Sequence, residues 1–464
     1  MKRSIRSNIL LSIIAQVISL CASFLLGLIV PKFLEISQYA YWQTFLLYSS
    51  YVGILNFGLI DGIVLRYAQY DYDDLNKPLI RSQLLSLLTL TTTAALVCCG
   101  SSIFIKDGSD KLVCILIGIN IIITNLVFYT TYIYQITNEI PKYITIIIVE
   151  RLTNVLFVII FLLANLREFY WYCIAQIAGS CIGILFAALK NKDLFWGTII
   201  SIKNAYIEFK ENVSAGIKLL IANWSAMFIV GGAKTFVQWH WSLIIFGYIS
   251  FAFSLSNLFL SFVTSTSIVL FPALKRFSQD KLNYLYPILR TQMTVLLIVL
   301  MIFYYPIDYL LPLWMPKYTY SLKYFGMILP VVVFTSKLSL LTNNYLKVYR
   351  QEKAMLWINV STLFMAIVGY IIFTYLIDSL EMVIYWTVLV IIIRAILSEI
   401  KLSKLIKMSW TSDTIAEIIM CIVFAISLYI QPKIYGAAVY FIAIVIYLSI
   451  NLMSPKKRKF LTRI

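Results

Sequence analysis

The chain has 464 residues, of which 61% are hydrophobic and 13% are charged. A domain folded in water cannot cover that much apolar surface with so few charges, so the composition excludes a water-soluble protein and indicates one solvated by lipid. Lys and Arg exceed Asp and Glu by 17, and the chain contains one histidine.

Apolar segments follow one another along the whole chain. The first, residues 9–30, has 22 residues without a charge, enough for a helix to cross a hydrocarbon core of about 30 Å. No A-x-A-like cleavage site follows it, so we expect it to be retained rather than removed as a signal peptide. The segments predict an all-α polytopic membrane protein with about fourteen spans, at 9–30, 39–64, 82–105, 112–134, 143–164, 169–189, 213–233, 242–270, 288–311, 325–346, 354–377, 382–400, 414–430 and 434–453.

The distribution of Lys and Arg predicts the topology. With the N-terminus inside, 28 of the 38 basic residues fall on the inner side and eight on the outer side, and Arg151 and Lys337 lie within spans. This asymmetry follows the positive-inside rule and predicts that both termini are cytoplasmic. Most of the net charge is therefore explained by topology, and no soluble basic module indicates a nucleic-acid partner.

A long polar interval separates the first six spans from the remaining eight. We predict an N-terminal lobe at 1–190, a cytoplasmic linker at 191–212 with the spacing of an amphipathic helix, and a C-terminal lobe at 213–410. Residues 411–464 are predicted to add a helical hairpin and a basic cytoplasmic tail. A faint repeat of the Pro31 to Arg66 unit after the linker predicts a substrate cavity between the lobes.

The sequence gives no support for covalent chemistry. It has no G-x-x-x-x-G-K-[ST] phosphate loop, no G-x-S-x-G, and no cluster with metal-ligand spacing. Its seven cysteines lie in apolar runs without a C-x-x-C pair, as small core residues do. We expect no enzyme activity, metal or cofactor, so any energy must come from an ion gradient or the membrane potential.

Charges within the spans are costly unless they face protein or a wet cavity. Lys337 is predicted either to line such a cavity or to snorkel and pair locally. Arg151 lines a cavity or forms an internal ion pair, although the adjacent Glu150 points about 100° away on a helix. Lys32 and Lys234 also fit interface anchors, and Arg66 also fits an ordinary positive-inside residue.

Four motifs carry a resemblance to a known family: PKFLEISQYAYW from Pro31, NFGLIDGIVLR from Asn56, NEIPKY from Asn138, and FPALKRF from Phe271. With these, the chain resembles a bacterial O-antigen type flippase of the multidrug/oligosaccharidyl-lipid/polysaccharide exporter superfamily. Two positions depart from the family pattern, because Ala40 replaces a usual Gly and Lys234 replaces a frequent acidic residue.

The resemblance implies a protein of the bacterial cytoplasmic membrane that moves an isoprenoid-pyrophosphate-linked oligosaccharide by alternating access. Such a substrate needs a cationic cavity, for which Lys32, Arg66, Arg151, Lys234 and Lys337 are the candidates, because Arg and Lys bind phosphate oxygens. The candidates for ion coupling are Asp61 and Glu150. Implied partners are membrane lipids, a polysaccharide polymerase and glycosyltransferases. Two alternatives remain open: a multidrug or metabolite-cation antiporter of the same fold, and a non-transporting scaffold of an envelope-assembly complex.

Overall fold

The computed structural model describes residues 5–264, 279–408 and 411–453, and this part contains helices and no strand. The α-helices, in chain order, are α1 (Ile5–Phe24), α2 (Val30–Phe33), α3 (Ile36–Tyr51), α4 (Leu59–Tyr67), α5 (Lys77–Ser101), α6 (Gly108–Ile136), α7 (Ile140–Leu163), α8 (Phe169–Lys190), α9 (Lys192–Phe195), α10 (Ile202–His240), α11 (Leu243–Thr264), α12 (Gln279–Leu300), α13 (Tyr304–Trp314), α14 (Ser321–Lys337), α15 (Asn343–Val348), α16 (Glu352–Ile371), α17 (Leu380–Ile406), α18 (Thr411–Ser427) and α19 (Lys433–Met453).

The predicted fold class is confirmed. Among the described residues, twelve helices are long and apolar enough to cross a membrane, or thirteen if the bent pair α3 and α4 forms one span. The predicted span at 414–430 corresponds to α18, whose 17 residues extend only about 25 Å at about 1.5 Å per residue. The FPALKRF motif at 271–277 and the end of the predicted span at 242–270 lie outside the described residues.

The second predicted span is broken rather than continuous. Phe57 and Gly58 adopt positive φ angles of 50° and 85°, and the flanking helical segments meet at 58°. The side chain of Asn56 accepts the N–H of Gly58 at 2.9 Å, and Asn125 of α6 donates to the carbonyl of Val52 at 3.1 Å. The first bond satisfies a backbone N–H at the break, as irregular backbone within a membrane requires, and the second ties the turn before the break to α6.

The described chain divides into two compact units. Within the described residues, the first comprises 5–227 and 241–247, and the second comprises 228–240, 248–264, 279–408 and 411–453. In the first unit, α5 packs on α6, α7 packs on α8, and α6 also contacts α3 and α8. One apolar cluster of this unit includes Leu59, Ile80, Tyr129 and Leu194.

In the second unit, α17 packs against both α14 and α16, and α12 packs against α14, α18 and α19. Its apolar cluster includes Tyr286, Leu341, Tyr345 and Leu402. Helix α14 is the most enclosed of the candidate spans. The C-terminal hairpin of α18 and α19 therefore packs within this unit.

The predicted linker at 191–212 contains the short helix α9, an irregular stretch, and the first turns of α10. Helix α10 then continues without a break to His240, for 39 residues in all. The amphipathic segment is thus the beginning of the long helix that includes the predicted seventh span, and its start packs on α5 through side-chain contacts described below.

Candidate functional site: two ion-pair clusters

Four buried charges meet in the second unit. Arg290 of α12 contacts Glu399 of α17 (Nε to Oε1, 3.0 Å) and Glu417 of α18 (Nη2 to Oε1, 2.9 Å). Lys337 of α14 contacts Glu399 (Nζ to Oε1, 3.0 Å) and also pairs with Glu417. Each side chain is at most 4% exposed. The two cations and two anions give these four side chains a net charge of zero. Charged side chains that are buried away from water need such paired opposite charges.

Hydroxyl groups complete this cluster. The Thr414 hydroxyl accepts from Arg290 at 2.9 Å and donates to Glu399 at 3.0 Å, and Thr294 donates to Glu417 at 3.1 Å. Asp413, at 3.7 Å from Arg290, lies at the more exposed edge. One hydrogen-bonded charge network thus connects four helices of the second unit, namely α12, α14, α17 and α18.

A second cluster joins α4 to the start of α10 in the first unit. Arg66 pairs with Glu208, with Glu211 (Nη2 to Oε2, 2.6 Å), and with the side-chain oxygen of Asn212 at 2.7 Å. Tyr67 also donates to Glu208. Arg66 is 29% exposed, so this cluster lies closer to the surface than the first.

Glycines bring the backbones of α4 and α10 into close contact next to Arg66. A Cβ built on Gly62 would lie 1.8 Å from the carbonyl oxygen of Asn212, and one built on Gly216 would lie 2.0 Å from that of Gly58. Only residues without a side chain permit this approach. The half-helix α4 is therefore held against α10 both by backbone contact and by the Arg66 ion pairs.

The loop after α8 is bonded to the start of α5. Arg81 donates to the carbonyls of Thr198 at 2.8 Å and Asp193 at 2.6 Å. Tyr72, in the loop before α5, donates to the Asp193 carboxylate at 3.2 Å. Burial is the main cause that raises the pKa of Tyr72, and the nearby negative charge of Asp193 adds to it, so this phenol stays protonated as a donor.

The five predicted cations have different surroundings. Arg66 and Lys337 are paired with carboxylates that the sequence analysis did not single out. Lys32 on α2 and Arg151 on α7 are exposed, and Lys234 on α10 is partly buried. Substrate binding by these five residues stays a prediction.

The two carboxylates predicted for ion coupling lie on different helices, Asp61 on α4 and Glu150 on α7. Asp61 lies in the first turn of α4, partly buried, just after the break in the second span. Glu150 accepts a hydrogen bond from Ser180 of α8 at 2.9 Å. Among the ion pairs of the described residues, none joins Glu150 to Arg151.

Sequence reasoning missed the partners of the second-unit cluster. Arg290 was counted as an inner-side residue, and Glu399 and Glu417 were given no role. The sequence did contain a signal for this cluster, because four ionisable residues of both signs fall within apolar spans. Unpaired charges are costly there, so these residues are expected to pair with one another. Among the described residues, no group of three His, Cys, Asp or Glu side chains is placed to hold a metal.

No family model matches the chain, and no curated protein matches it. Solved structures do match. The structure is similar to that of the lipid II flippase MurJ in an inward closed conformation, with a TM-score of 0.69 and 13% identity over 96% of this chain and 98% of the other. It is similar to a multidrug resistance MATE family transporter of the MOP superfamily, with a TM-score of 0.61 and 13% identity over 85% and 96% of the two chains.

A third similar structure is a MOP superfamily transporter from Pyrococcus furiosus, with a TM-score of 0.53 and 12% identity over 86% of this chain and 94% of the other. These neighbours are transporters and a flippase rather than enzymes. The chain therefore shares the fold of these neighbours, and it is a multi-pass membrane protein, as the resemblance implied.

Proposed function

We propose that this protein is a flippase that moves an isoprenoid-pyrophosphate-linked oligosaccharide across the bacterial cytoplasmic membrane for surface polysaccharide assembly. The observation that carries the proposal is the similarity to the lipid II flippase over nearly the full length of both chains. A flippase of this class needs cations for the pyrophosphate, and the intramembrane charges Arg151 and Lys337 are basic.

In the proposed mechanism, the pyrophosphate exchanges with protein carboxylates. Lys32, Arg151 and Lys234 supply positive charge, whereas Arg66 and Lys337 first have to exchange a carboxylate partner for phosphate. Exchange of one anion for another keeps the cation paired throughout, which avoids the cost of an isolated charge. Arg66 is better suited to this exchange than Lys337, because its side chain is 29% exposed whereas that of Lys337 is 1% exposed.

The proposal includes the energy source and the partners. An ion gradient or the membrane potential drives the cycle, with Asp61 and Glu150 as candidate coupling groups and no cofactor. Both termini lie in the cytoplasm. A polymerase and glycosyltransferases act on the same lipid-linked glycan before and after its translocation.

A multidrug or metabolite-cation antiporter is the second candidate, and the similarity to a MATE family transporter favours it. A cationic substrate requires accessible carboxylates, whereas an anionic lipid requires accessible cations. The buried carboxylates Glu399 and Glu417 each contact two cations. This pairing argues against them as receptors for a cationic drug.

The test uses a strain that lacks its own gene for this protein and is complemented with variants. Arg151→Gln should reduce surface glycan at unchanged protein level, Arg151→Glu should reduce it further, and Arg151→Lys should retain part of it if point charge suffices. Lys111→Gln, at an exposed position on α6, serves as the control. Full export with Arg151→Glu at normal expression would reject the cationic mechanism.

A further inference from the structure

An open groove runs along the outside of the first unit. One wall is a single face of α5 from Ser82 to Thr93, and the other is formed by Ile199 and the first turns of α10 up to Phe209. Its volume is about 510 Å³, within the range of roughly 300–1,000 Å³ that is usual for ligand pockets. The α5 wall spans about 16 Å at about 1.5 Å per residue, which is close to half of a hydrocarbon core of about 30 Å.

The groove is apolar although its α5 wall carries hydroxyl groups. Ser86 donates to the carbonyl of Ser82 at 3.1 Å, Thr89 to that of Leu85 at 2.9 Å, and Thr93 to that of Thr89 at 2.8 Å. Each hydroxyl is thus satisfied by its own helix, one turn back. The wall presents methyl and methylene groups and requires no water, as a surface in contact with hydrocarbon should.

The end of the groove near Lys77 is held in place by polar contacts. Gln83 donates to the carbonyl of Ala205 at 3.1 Å, and the Ser82 hydroxyl accepts from the N–H of Ile200 at 3.0 Å. These bonds fix the first turns of α10 against the start of α5. A ligand chain that enters here would follow α5 toward the middle of the span.

Two exposed lysines lie on α10 next to the groove. Lys203 and Lys210 lie one turn before and one turn after the lining residue Tyr206, on the same side of α10. Among the ion pairs of the described residues, neither has a carboxylate partner, whereas the neighbouring Glu208 and Glu211 are paired with Arg66. The pair therefore offers positive charge beside an apolar groove of one-leaflet length.

We propose that this groove binds one acyl chain of an anionic phospholipid, with the phosphate of its headgroup at Lys203 and Lys210. Lys and Arg next to a membrane surface attract anionic lipids, and the groove length suits a chain from a single leaflet. The bound lipid covers the junction between α5 and α10 and stabilises the loop that Arg81 holds. This inference is independent of the transported substrate.

The experiment uses the purified full chain in phosphatidylcholine vesicles that contain a trace of photoactivatable lipid. The probes are phosphatidylglycerol and phosphatidylcholine that carry the same diazirine-labelled acyl chain. Cross-linked peptides are mapped by mass spectrometry after irradiation. We expect the phosphatidylglycerol probe to label peptides from 82–93 and 199–209 several-fold more than the phosphatidylcholine probe.

Two variants separate the groove from general lipid contact. Thr89→Trp should fill the groove and reduce its labelling several-fold, whereas Leu96→Trp, at a residue of α5 that is 68% exposed outside the groove, should leave it unchanged. The double variant Lys203→Gln, Lys210→Gln should remove the preference for phosphatidylglycerol while acyl-chain labelling persists. Equal labelling by both probes in the unmodified protein, or equal effects of the two Trp variants, would mean ordinary boundary lipid only and would overturn the proposal.

Discussion

Lys337 and Glu417 form an ion pair between α14 and α18 in which the lysine side chain is 1% exposed and the carboxylate is fully buried. The same lysine contacts Glu399, and the same carboxylate contacts Arg290. Glu417 thus supplies one of the two buried negative charges that neutralise Arg290 and Lys337. Helix α18 is shorter than a usual membrane span, and this contact gives it a specific attachment to the second unit.

Removal of one charge from this cluster should be costly. Glu417→Gln leaves two buried cations with one buried carboxylate, and breaking such a pair destabilises proteins by about 3–5 kcal/mol. Thermal unfolding of the detergent-solubilised protein should show a clearly lower midpoint. Glu381→Gln, which removes the half-exposed partner of Lys323, should change stability by at most about 1 kcal/mol.

The double variant Lys337→Gln, Glu417→Gln tests whether charge imbalance causes the loss of stability. It restores charge balance, because Arg290 retains Glu399, so it should be more stable than Glu417→Gln alone. The destabilisation of the double variant should therefore be smaller than the sum for Lys337→Gln and Glu417→Gln measured separately. A destabilisation equal to that sum would show that charge balance does not explain the role of the cluster.

Close contact between α4 and α10 gives a second prediction. Gly62→Ala places a methyl group where the Asn212 carbonyl lies, so the two backbones must separate and the Arg66 ion pairs must lengthen. We expect lower stability and reduced glycan export. Gly100→Ala is the matched control, since nothing lies within 4 Å of its added Cβ, and it should be neutral or slightly stabilising. Unchanged stability and unchanged glycan export in Gly62→Ala would show that this close contact is not required.

The proposed exchange at Arg66 gives a third prediction. Glu208→Gln removes one of its anionic partners, so a phosphate ligand should compete more easily. For a partly exposed pair we expect a decrease of about three-fold in the substrate concentration for half-maximal flipping. Reconstituted vesicles with a fluorescent lipid-linked oligosaccharide provide the measurement. A weaker apparent affinity would indicate that Glu208 orients Arg66 for binding instead of competing with the ligand.

The orientation of the chain can be tested separately. The asymmetry of Lys and Arg predicts a cytoplasmic C-terminus, so an alkaline phosphatase fused after Ser454 should be inactive and a green fluorescent protein fused there should be bright. Fusions after Asp107, in the loop between α5 and α6, should give the opposite result. An active phosphatase after Ser454 would reverse the proposed topology.

Most of the fold could be predicted from sequence because length and hydropathy determine a membrane span. The break within the predicted second span depends on φ angles at Phe57 and Gly58 that hydropathy does not report. The predicted linker at 191–212 is a second case in which the structure adds detail to the sequence. Its apolar spacing predicted a helix, and the structure adds that this helix begins at Ile202 and that its first turn accepts a hydrogen bond from Gln83 of α5.

The candidate site was harder to predict because its contacts join distant parts of the chain. Lys337 was recognised as an unusual charge, but its partner Glu417 lies 80 residues further on. Arg66 and Glu208 are separated by 142 residues. A single sequence shows that a buried charge needs a partner, and it does not show which of several carboxylates reaches it.

The most direct test of the central claim is a flipping assay with the purified protein in vesicles. A short oligosaccharide linked to a fluorescent isoprenoid pyrophosphate is placed in both leaflets, and an impermeant lectin or reagent detects the fraction that is accessible outside. We expect protein-dependent translocation of this lipid that is reduced by Arg151→Gln and unaffected by cationic drugs. Translocation no faster than in protein-free vesicles under an imposed ion gradient and potential, together with uptake of a cationic drug by the same vesicles, would contradict it.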